Sequence, residues 1–339
     1  MRRLRLALGL LVAIGLAPGT FVRSRPTPAE HAPIRIEALA VKAQRLGPFT
    51  LAGAWRLSTR DKRFGGYSAL VAVGNRELVA ASDTGRLLRI TRRGGEPVAA
   101  RLRRLERSGD DNGDKINADV EALTRDPESG TIWAAYEARN VIERFDARFV
   151  STGLAEPDAL HGWSSNAGPE VFARLPDGRF LAIEEDPRER AEGGHNAVLF
   201  GRDPVAGGEP AEFLFAALDG FYPVDAVARA DGRVLVLMRR VVWGLPPRFE
   251  GAIVLIDPAR IEPGRTLHGR LLARLKPPLP MDNFEGMALT RDARGARYLW
   301  LISDDNLMGY QRTLLLRLRW DPARPRPQKQ RARGSTARP

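Results

Sequence analysis

Short runs of apolar residues alternate with turn sequences along most of the chain, and long stretches with helical periodicity are scarce. The turns between the runs often contain Asp-Gly, Gly-Gly or Pro-Gly pairs. Because strands are short and are bounded by such residues, this pattern predicts an all-β protein.

One arrangement of apolar and polar positions recurs five times in the body of the chain. A short strand carrying a polar residue is followed by a turn, and a second apolar strand then ends in a charged residue. The polar positions, spaced 53, 49, 55 and 60 residues apart, are Ser68, Glu121, Glu170, Asp225 and Glu285. The matching strand-end charges are Asp83, Glu137, Glu184, Arg239 and Asp304.

A repeat of about fifty residues with several strands in each unit is typical of a β-propeller. The last unit lacks an outer strand after residues 314–320, and the N-terminal segment 49–58 can supply it. This exchange would close the ring and remove two free sheet edges. The sequence therefore predicts five blades, and six stay open because residues 34–46 contain further strand-like positions.

The two ends of the chain differ in composition from this body. An Arg-rich start is followed by an apolar run from Leu6 to Leu16, which predicts a signal peptide or an uncleaved anchor. We therefore expect a periplasmic or secreted protein. The predicted divisions are signal peptide or anchor (1–20), linker and leading strand (21–47), propeller (48–320) and disordered basic tail (321–339).

The formal net charge of +12 lies mostly in these ends. Residues 1–29 and 321–339 carry five net positive charges each, which leaves +2 for the chain between them. A near-neutral body does not predict nucleic-acid binding, and we expect none. The absence of cysteine excludes disulfides, a thiol nucleophile and thiolate metal ligands.

In a propeller the first strand of each blade lines the central channel, so the recurring charges should gather near one mouth of it. Converging carboxylates raise one another's pKa values unless a cation neutralises them. Carboxylate oxygens suit Ca²⁺ or Mg²⁺, and we expect a divalent cation, with Ca²⁺ favoured. The candidate metal ligands are Asp83, Glu121, Glu170, Asp225, Glu285 and Asp304.

A cation at this mouth would polarise a phosphoryl oxygen and lower the pKa of an attacking water. Glu137 or Glu184 would act as general base, and Glu285 as ligand or base. Arg239 would hold a phosphate through two parallel hydrogen bonds. The alternative for each acid is structural, because acids also cap strand ends and accept hydrogen bonds from backbone amides of a neighbouring blade.

A second cation candidate is the loop Asp110–Asp114, where Asp110, Asn112 and Asp114 match the first half of an EF-hand loop. Lys115 replaces the turn glycine of that motif, and no amphipathic helix precedes the loop, so a solvated loop is the alternative. The sequence contains no P-loop, serine nucleophile elbow, zinc-protease motif or dinucleotide-binding motif.

Six segments carry a joint resemblance that none carries alone: FGGYSAL (64–70), SDTGRL (82–87), DVEAL (119–123), WSSNAGPEVFARLPDGRFLAIEED (163–186), FYPVDAVARADGRVLVLMRR (221–240) and DNFEGMAL…LWLISDDN…Q.TLLL (282–316). Together they resemble the phytase-like ("esterase-like activity of phytase") family of exported bacterial proteins, in order over roughly residues 48–320. The resemblance implies a β-propeller rich in acidic residues and suggests phosphoester hydrolysis.

These features together predict an exported hydrolase, a metal-dependent phosphoesterase for phosphomonoesters or phosphodiesters at an acidic propeller mouth. Two alternatives stay open: a non-catalytic propeller that binds a ligand or partner, and a lactonase-like calcium hydrolase. We expect a monomer with a small-molecule substrate, phosphorylated in the first case. We expect membrane contact only through an uncleaved N-terminal segment.

Overall fold

This computed structural model describes residues 32–105, 119–137, 139–164, 168–186 and 194–321. These residues form β-strands and short 3-10 helices, with no α-helix among them. No helix in this part of the chain has the length and apolar character needed to cross a bilayer. The predicted signal peptide or anchor, the tail after residue 321 and the Asp110–Asp114 loop lie outside the described residues.

Glycine-containing turns connect many of the successive strands. In chain order the strands are β1 (Arg35–Ala38), β2 (Arg45–Leu46), β3 (Phe49–Ser58), β4 (Tyr67–Val73), β5 (Glu77–Ser82), β6 (Arg86–Arg93), β7 (Glu96–Arg104), β8 (Val120–Arg125), β9 (Ile132–Tyr136), β10 (Val141–Phe145), β11 (Ser151–Ala155), β12 (Val171–Arg174), β13 (Phe180–Ile183), β14 (His195–Phe200), β15 (Pro210–Ala216), β16 (Tyr222–Ala228), β17 (Val234–Val242), β18 (Arg248–Ile256), β19 (Thr266–His268), β20 (Arg270–Leu275), β21 (Asn283–Arg291), β22 (Arg297–Asp304) and β23 (Thr313–Trp320). The 3-10 helices are Asp158–Leu160, Pro204–Ala206 and Pro258–Arg260.

Within the described chain the strands form five sheets, which are the blades of a β-propeller. The first blade is β4 to β7 and the second is β8 to β11. The third is β12 to β15 with β19 added in parallel, and the fourth is β16, β17, β18 and β20. The inner strands β4, β8, β12, β16 and β21 pack side by side in a closed ring. The predicted propeller is confirmed, with five blades.

The fifth blade joins the two ends of the chain. β21, β22 and β23 pair in order, and β3 pairs antiparallel along all of β23, which confirms the predicted strand exchange. β1 and β2 extend this sheet by pairing with β3 and do not begin a sixth blade. Trp55 stacks on Trp300 with 5.7 Å between ring centroids, so side chains as well as backbone hydrogen bonds hold the closure.

The hydrophobic core lies in the layers between neighbouring blades. Side chains alternate along each strand, so both faces of a sheet bury apolar groups against adjacent sheets. Since the inner strands all begin at one mouth of the channel, their first residues converge there.

Candidate functional site

Three of the five inner strands contain a β-bulge at the polar position marked by the repeat. The pairing register shifts at Ser68 in β4, at Glu121 in β8 and at Glu285 in β21. A bulge leaves the extra residue outside the ladder and redirects its side chain. Ser68 of the first blade hydrogen-bonds to Glu121 of the second, so the redirected side chains meet across blades.

Acidic residues from four blades gather at this mouth around one arginine from the remaining blade, and we call the group the acidic mouth. Seven of its nine members were candidates from the sequence. Its members are Asp83, Asp119, Glu121, Glu137, Glu170, Glu185, Glu285 and Asp304, together with Arg239.

Arg239 is the cationic member of the acidic mouth. Its Nη2 lies 2.8 Å from Glu185 Oε1, and its Nε lies 3.1 Å from Glu285 Oε1. Burial alone would lower the pKa of Arg239, but attraction to Glu285, Glu185 and further carboxylates outweighs it and raises the pKa above its ordinary value. Arg239 therefore stays charged and offsets one of the eight acids around it.

Burial, together with the uncompensated negative charge, raises the pKa values of two carboxyls in the acidic mouth. Burial, with repulsion from Asp119, Glu137 and Glu285, holds the pKa of Glu121 well above its usual range. Burial and repulsion from Glu121 raise the pKa of Glu170 in the same way. Such a carboxyl releases its proton only at a higher pH than an exposed one, and a bound cation would favour its ionised form.

Glu285 and Asp304 form a hydrogen-bonded carboxyl pair in the fifth blade. Burial raises the pKa of both groups, and repulsion from Glu285 raises that of Asp304 further. Arg239 favours the ionised form of Glu285, so the shared proton belongs mainly to Asp304. Asn283 Nδ2 also donates to Glu285 Oε1, at 2.7 Å.

Three carboxylates of the second blade have the spacing of a cation site. One oxygen from each of Asp119, Glu121 and Glu137 lies within 4.8 Å of the others. The backbone fixes two of them, because Glu137 N donates to Asp119 O at 3.2 Å across the open end of the β8–β9 hairpin. Asn283 Oδ1 is buried at this mouth without a hydrogen-bond partner among the described residues. The three carboxylates supply hard oxygen ligands that fit Ca²⁺ or Mg²⁺.

Asp225 has a different position from the other predicted ligands. The bulge in β16 falls at Val224, one residue earlier. The Asp225 carboxylate accepts hydrogen bonds from the backbone amides of Ala226 and Met287, which joins β16 to β21. Burial raises the pKa of Asp225 well above its usual range. The structure thus places this acid on backbone amides of its own and the neighbouring blade.

At the end of β13, the adjacent acids Glu184 and Glu185 contact different partners. Glu184 accepts hydrogen bonds from Ser164 N at 2.8 Å and from Asn196 Nδ2, so it connects the loop before β12 to β14. Glu185, which the repeat did not mark, contacts Arg239 instead. Asp119 was also missed, although it lies only two residues before Glu121 in the segment DVEAL.

Asp83 lies against the backbone at the start of the first blade. A Cβ atom on Gly66 would lie 2.3 Å from Asp83 Oδ1, and Gly66 has a φ of +67°, so only glycine fits there without strain. Repulsion from Asp83 contributes to the raised pKa of Asp304. The first blade therefore adds its strand-end carboxylate to the acidic mouth.

A protein-family model described as phytase-like, "Esterase-like activity of phytase", matches residues 62–307. The match covers most of the chain and includes every member of the acidic mouth. No curated protein matches the sequence.

Several solved structures are similar to this chain. One is a nidogen/laminin complex (11% identity, 79% of this chain and 88% of that chain, TM-score 0.42). Another is hydrazine synthase of Kuenenia stuttgartiensis (15% identity, 86% and 81%, TM-score 0.37). A third is a luciferin-regenerating enzyme (11% identity, 84% and 95%, TM-score 0.43). All three TM-scores lie below 0.5, and these likenesses carry no inference about the chain.

Proposed function

The chain belongs to the phytase-like family, and from this premise we propose that it is an exported, metal-dependent phosphoester hydrolase that works at its acidic mouth. The family supports a hydrolase-type function, whereas the cation and the phosphoester substrate are our proposal. The observation that carries it is the convergence of three carboxylate oxygens within 4.8 Å in a mouth that also contains a proton-sharing carboxyl pair.

Asp119, Glu121 and Glu137 would hold the divalent cation, and Ca²⁺ is favoured because all three ligands are carboxylates. The bound cation would polarise a phosphoryl oxygen and lower the pKa of a nearby water. Glu121 has to release its proton to bind the cation, since its pKa is raised in the folded protein. Cation affinity should therefore increase with pH.

The Glu285–Asp304 pair supplies groups for proton transfer. Asp304 holds the shared proton and can donate it to the leaving oxygen. Glu285, whose ionised form Arg239 favours, would accept a proton from the attacking water. Two neighbouring carboxyls with different protonation are suited to opposite roles in one reaction.

The test is hydrolysis by purified protein that has been stripped of metal. We expect turnover of a small phosphomonoester or phosphodiester when Ca²⁺ or Mg²⁺ is added, and loss of turnover with a chelator. A lactone belongs in the same panel, because the "esterase-like" description favours carboxylic ester hydrolysis as the second candidate. Lactone turnover alone would replace the phosphoesterase proposal. A bound cation without turnover of any substrate would favour a non-catalytic binding propeller.

Two substitutions separate the roles within the acidic mouth. Glu285→Gln should lower kcat/KM by roughly 10²–10⁴-fold with little change in melting temperature, because glutamine keeps the hydrogen bond from Asn283 but cannot accept a proton. Glu121→Gln should raise the cation concentration needed for activity. Glu128→Gln is the matched control, since Glu128 is exposed at the opposite end of the β8–β9 hairpin. Full turnover by Glu285→Gln would exclude Glu285 as the base.

A further inference from the structure

A two-stranded ribbon rises from the same face of the propeller as the acidic mouth. The last pair between β16 and β17 is Tyr222 with Arg239, a member of that mouth. Beyond it β17 and β18 continue alone for three more residue pairs, up to Val242 with Arg248. At the usual rise of a strand, these pairs extend the ribbon by about 10 Å.

The tip of this ribbon exposes two large apolar side chains. Trp243 is 88% exposed and Leu245 is 97% exposed. The other five tryptophans of the chain are each 8% exposed or less. Isolated apolar groups on a surface are ordinary, but a tryptophan and a leucine together at a projecting tip leave a sizeable apolar surface in water.

A second loop adds apolar side chains on the same face. The connection between β22 and β23 begins beside Asp304 of the acidic mouth, and it exposes Leu307, Met308 and Tyr310 by 44–55% of their surface. Two neighbouring blades therefore place projecting apolar groups on separate loops at one side of the acidic mouth, and these groups do not form one flat patch.

The described chain also starts on this face. Arg35 in β1 pairs with Ser58, which is the last residue of β3. From Ser58 the chain continues to β4, the first inner strand. Thr59 Oγ1 donates to Ala32 O at 3.3 Å, which fixes the first described residue there. The apolar run Leu6–Leu16, predicted to be a signal peptide or anchor, precedes this point in the sequence.

We propose that the β17–β18 ribbon inserts Trp243 and Leu245 into the surface of a lipid bilayer and so turns the acidic mouth towards the membrane. Tryptophan prefers the headgroup level of a bilayer, where an apolar ring can keep its N–H hydrated. The exposed Arg248 beside the tip can contact lipid phosphates, as can Arg60 and Lys62 in the loop before β4. Separate projecting tips suit a soft lipid interface better than a rigid protein surface. This inference is independent of the proposed catalytic activity.

The experiment uses the fluorescence of the full-length protein with vesicles of phosphatidylcholine and phosphatidylglycerol. Because Trp243 is the single exposed tryptophan, its transfer into lipid should shift the emission to shorter wavelength. Vesicles containing brominated lipid should quench the same emission. Trp243→Phe should remove both signals, which assigns them to the ribbon tip and separates them from binding through the N-terminal segment.

Leu245→Asp provides the sharper variant because it keeps Trp243 as the reporter. We expect it to need at least about tenfold more lipid for the same shift, since an apolar contact is replaced by a charge. Val98→Asp is the control: Val98 is 51% exposed on the outer strand β7, near the opposite end of the blade. If vesicles capture the protein without changing Trp243 emission, the proposal is wrong. A lipid-independent shift that grows with protein concentration would also overturn it, in favour of self-association.

Discussion

At the scale of single residues, a buried carboxylate near the channel either neutralises backbone amides or remains available for chemistry. The sequence repeat marks both Asp225 and Glu285, and both are buried. Asp225 accepts from two backbone amides, whereas Glu285 contacts the side chains of Arg239, Asn283 and Asp304. The partners of each acid therefore indicate whether its removal should affect stability or activity first.

Asp225→Ala should lower the free energy of unfolding by about 1–3 kcal/mol, because the buried amides of Ala226 and Met287 lose their acceptor. Urea unfolding measures the change. The exposed Asp219, in the loop before β16, supplies the control Asp219→Ala, for which we expect little change. Unaltered stability of Asp225→Ala would mean that the backbone contacts of Asp225 contribute little.

The sequence predicted which strand ends carry the acids of the acidic mouth better than it predicted the individual residues. Glu121, Glu285 and Asp304 came from the repeat and meet in the acidic mouth. Asp119 and Glu185 escaped because side-chain direction at a bulge or strand end departs from strict alternation. A shift of one residue decides whether Glu184 or Glu185 faces Arg239, and composition and spacing do not encode that shift.

At the scale of strands, the closure of the ring depends on how closely the last inner strand approaches the first. The pairing of β3 with β23 was predictable because the last repeat lacks an outer strand. The N-terminal segment 49–58 contains a strand that belongs to no other repeat. The parallel addition of β19 was not predictable, because three residues contain too little alternation to indicate pairing. Between β21 and β4, Gly286 makes the close approach possible.

Gly286→Ala tests this contact between the first and fifth blades. An added Cβ would lie 2.8 Å from Ala69 C and 2.9 Å from Leu70 N, and backbone atoms cannot move aside as a flexible side chain can. We expect a loss of about 1–3 kcal/mol in unfolding free energy from overpacking. Gly309→Ala is the control, because a Cβ there meets no atom within 4 Å. Equal unfolding free energies of the two variants would show that β21 and β4 accommodate the added methyl group without a loss of stability.

At the scale of the whole molecule, the two ends of the channel have opposite charge. The acidic mouth contains eight carboxyl groups and one guanidinium. A cavity of about 640 Å³ at the other end is lined by Arg125, Arg174, Arg229 and Arg291, with two acids beside them. Although the body has almost no net charge, its field favours cations at one mouth only. The acidic mouth should therefore control how stability depends on pH and on cations.

The metal-free protein should become less stable as pH rises above the ordinary carboxyl pKa values of 3.8 for Asp and 4.5 for Glu. Glu121, Glu170 and Asp304 have raised pKa values when folded, so they keep protons that the unfolded chain has already released. The stabilisation that these protons provide is complete below the ordinary pKa values. It is lost as pH rises through the higher pKa values of the folded protein. With chelator present, the melting temperature should fall as pH rises above those ordinary values.

Added Ca²⁺ should reverse this fall, because a cation that binds only the folded acidic mouth replaces the lost protons and stabilises that state. The gain in melting temperature should be larger at about pH 8 than at about pH 5, where protons compete for the same oxygens. Glu121→Gln should reduce both the fall in melting temperature with chelator and its gain with Ca²⁺. The substitution removes one carboxyl with a raised pKa, which is also one ligand of the cation. Glu128→Gln should leave both unchanged. A melting temperature that rises with pH in chelator would contradict the raised pKa values, and a gain independent of Glu121 would place the cation elsewhere.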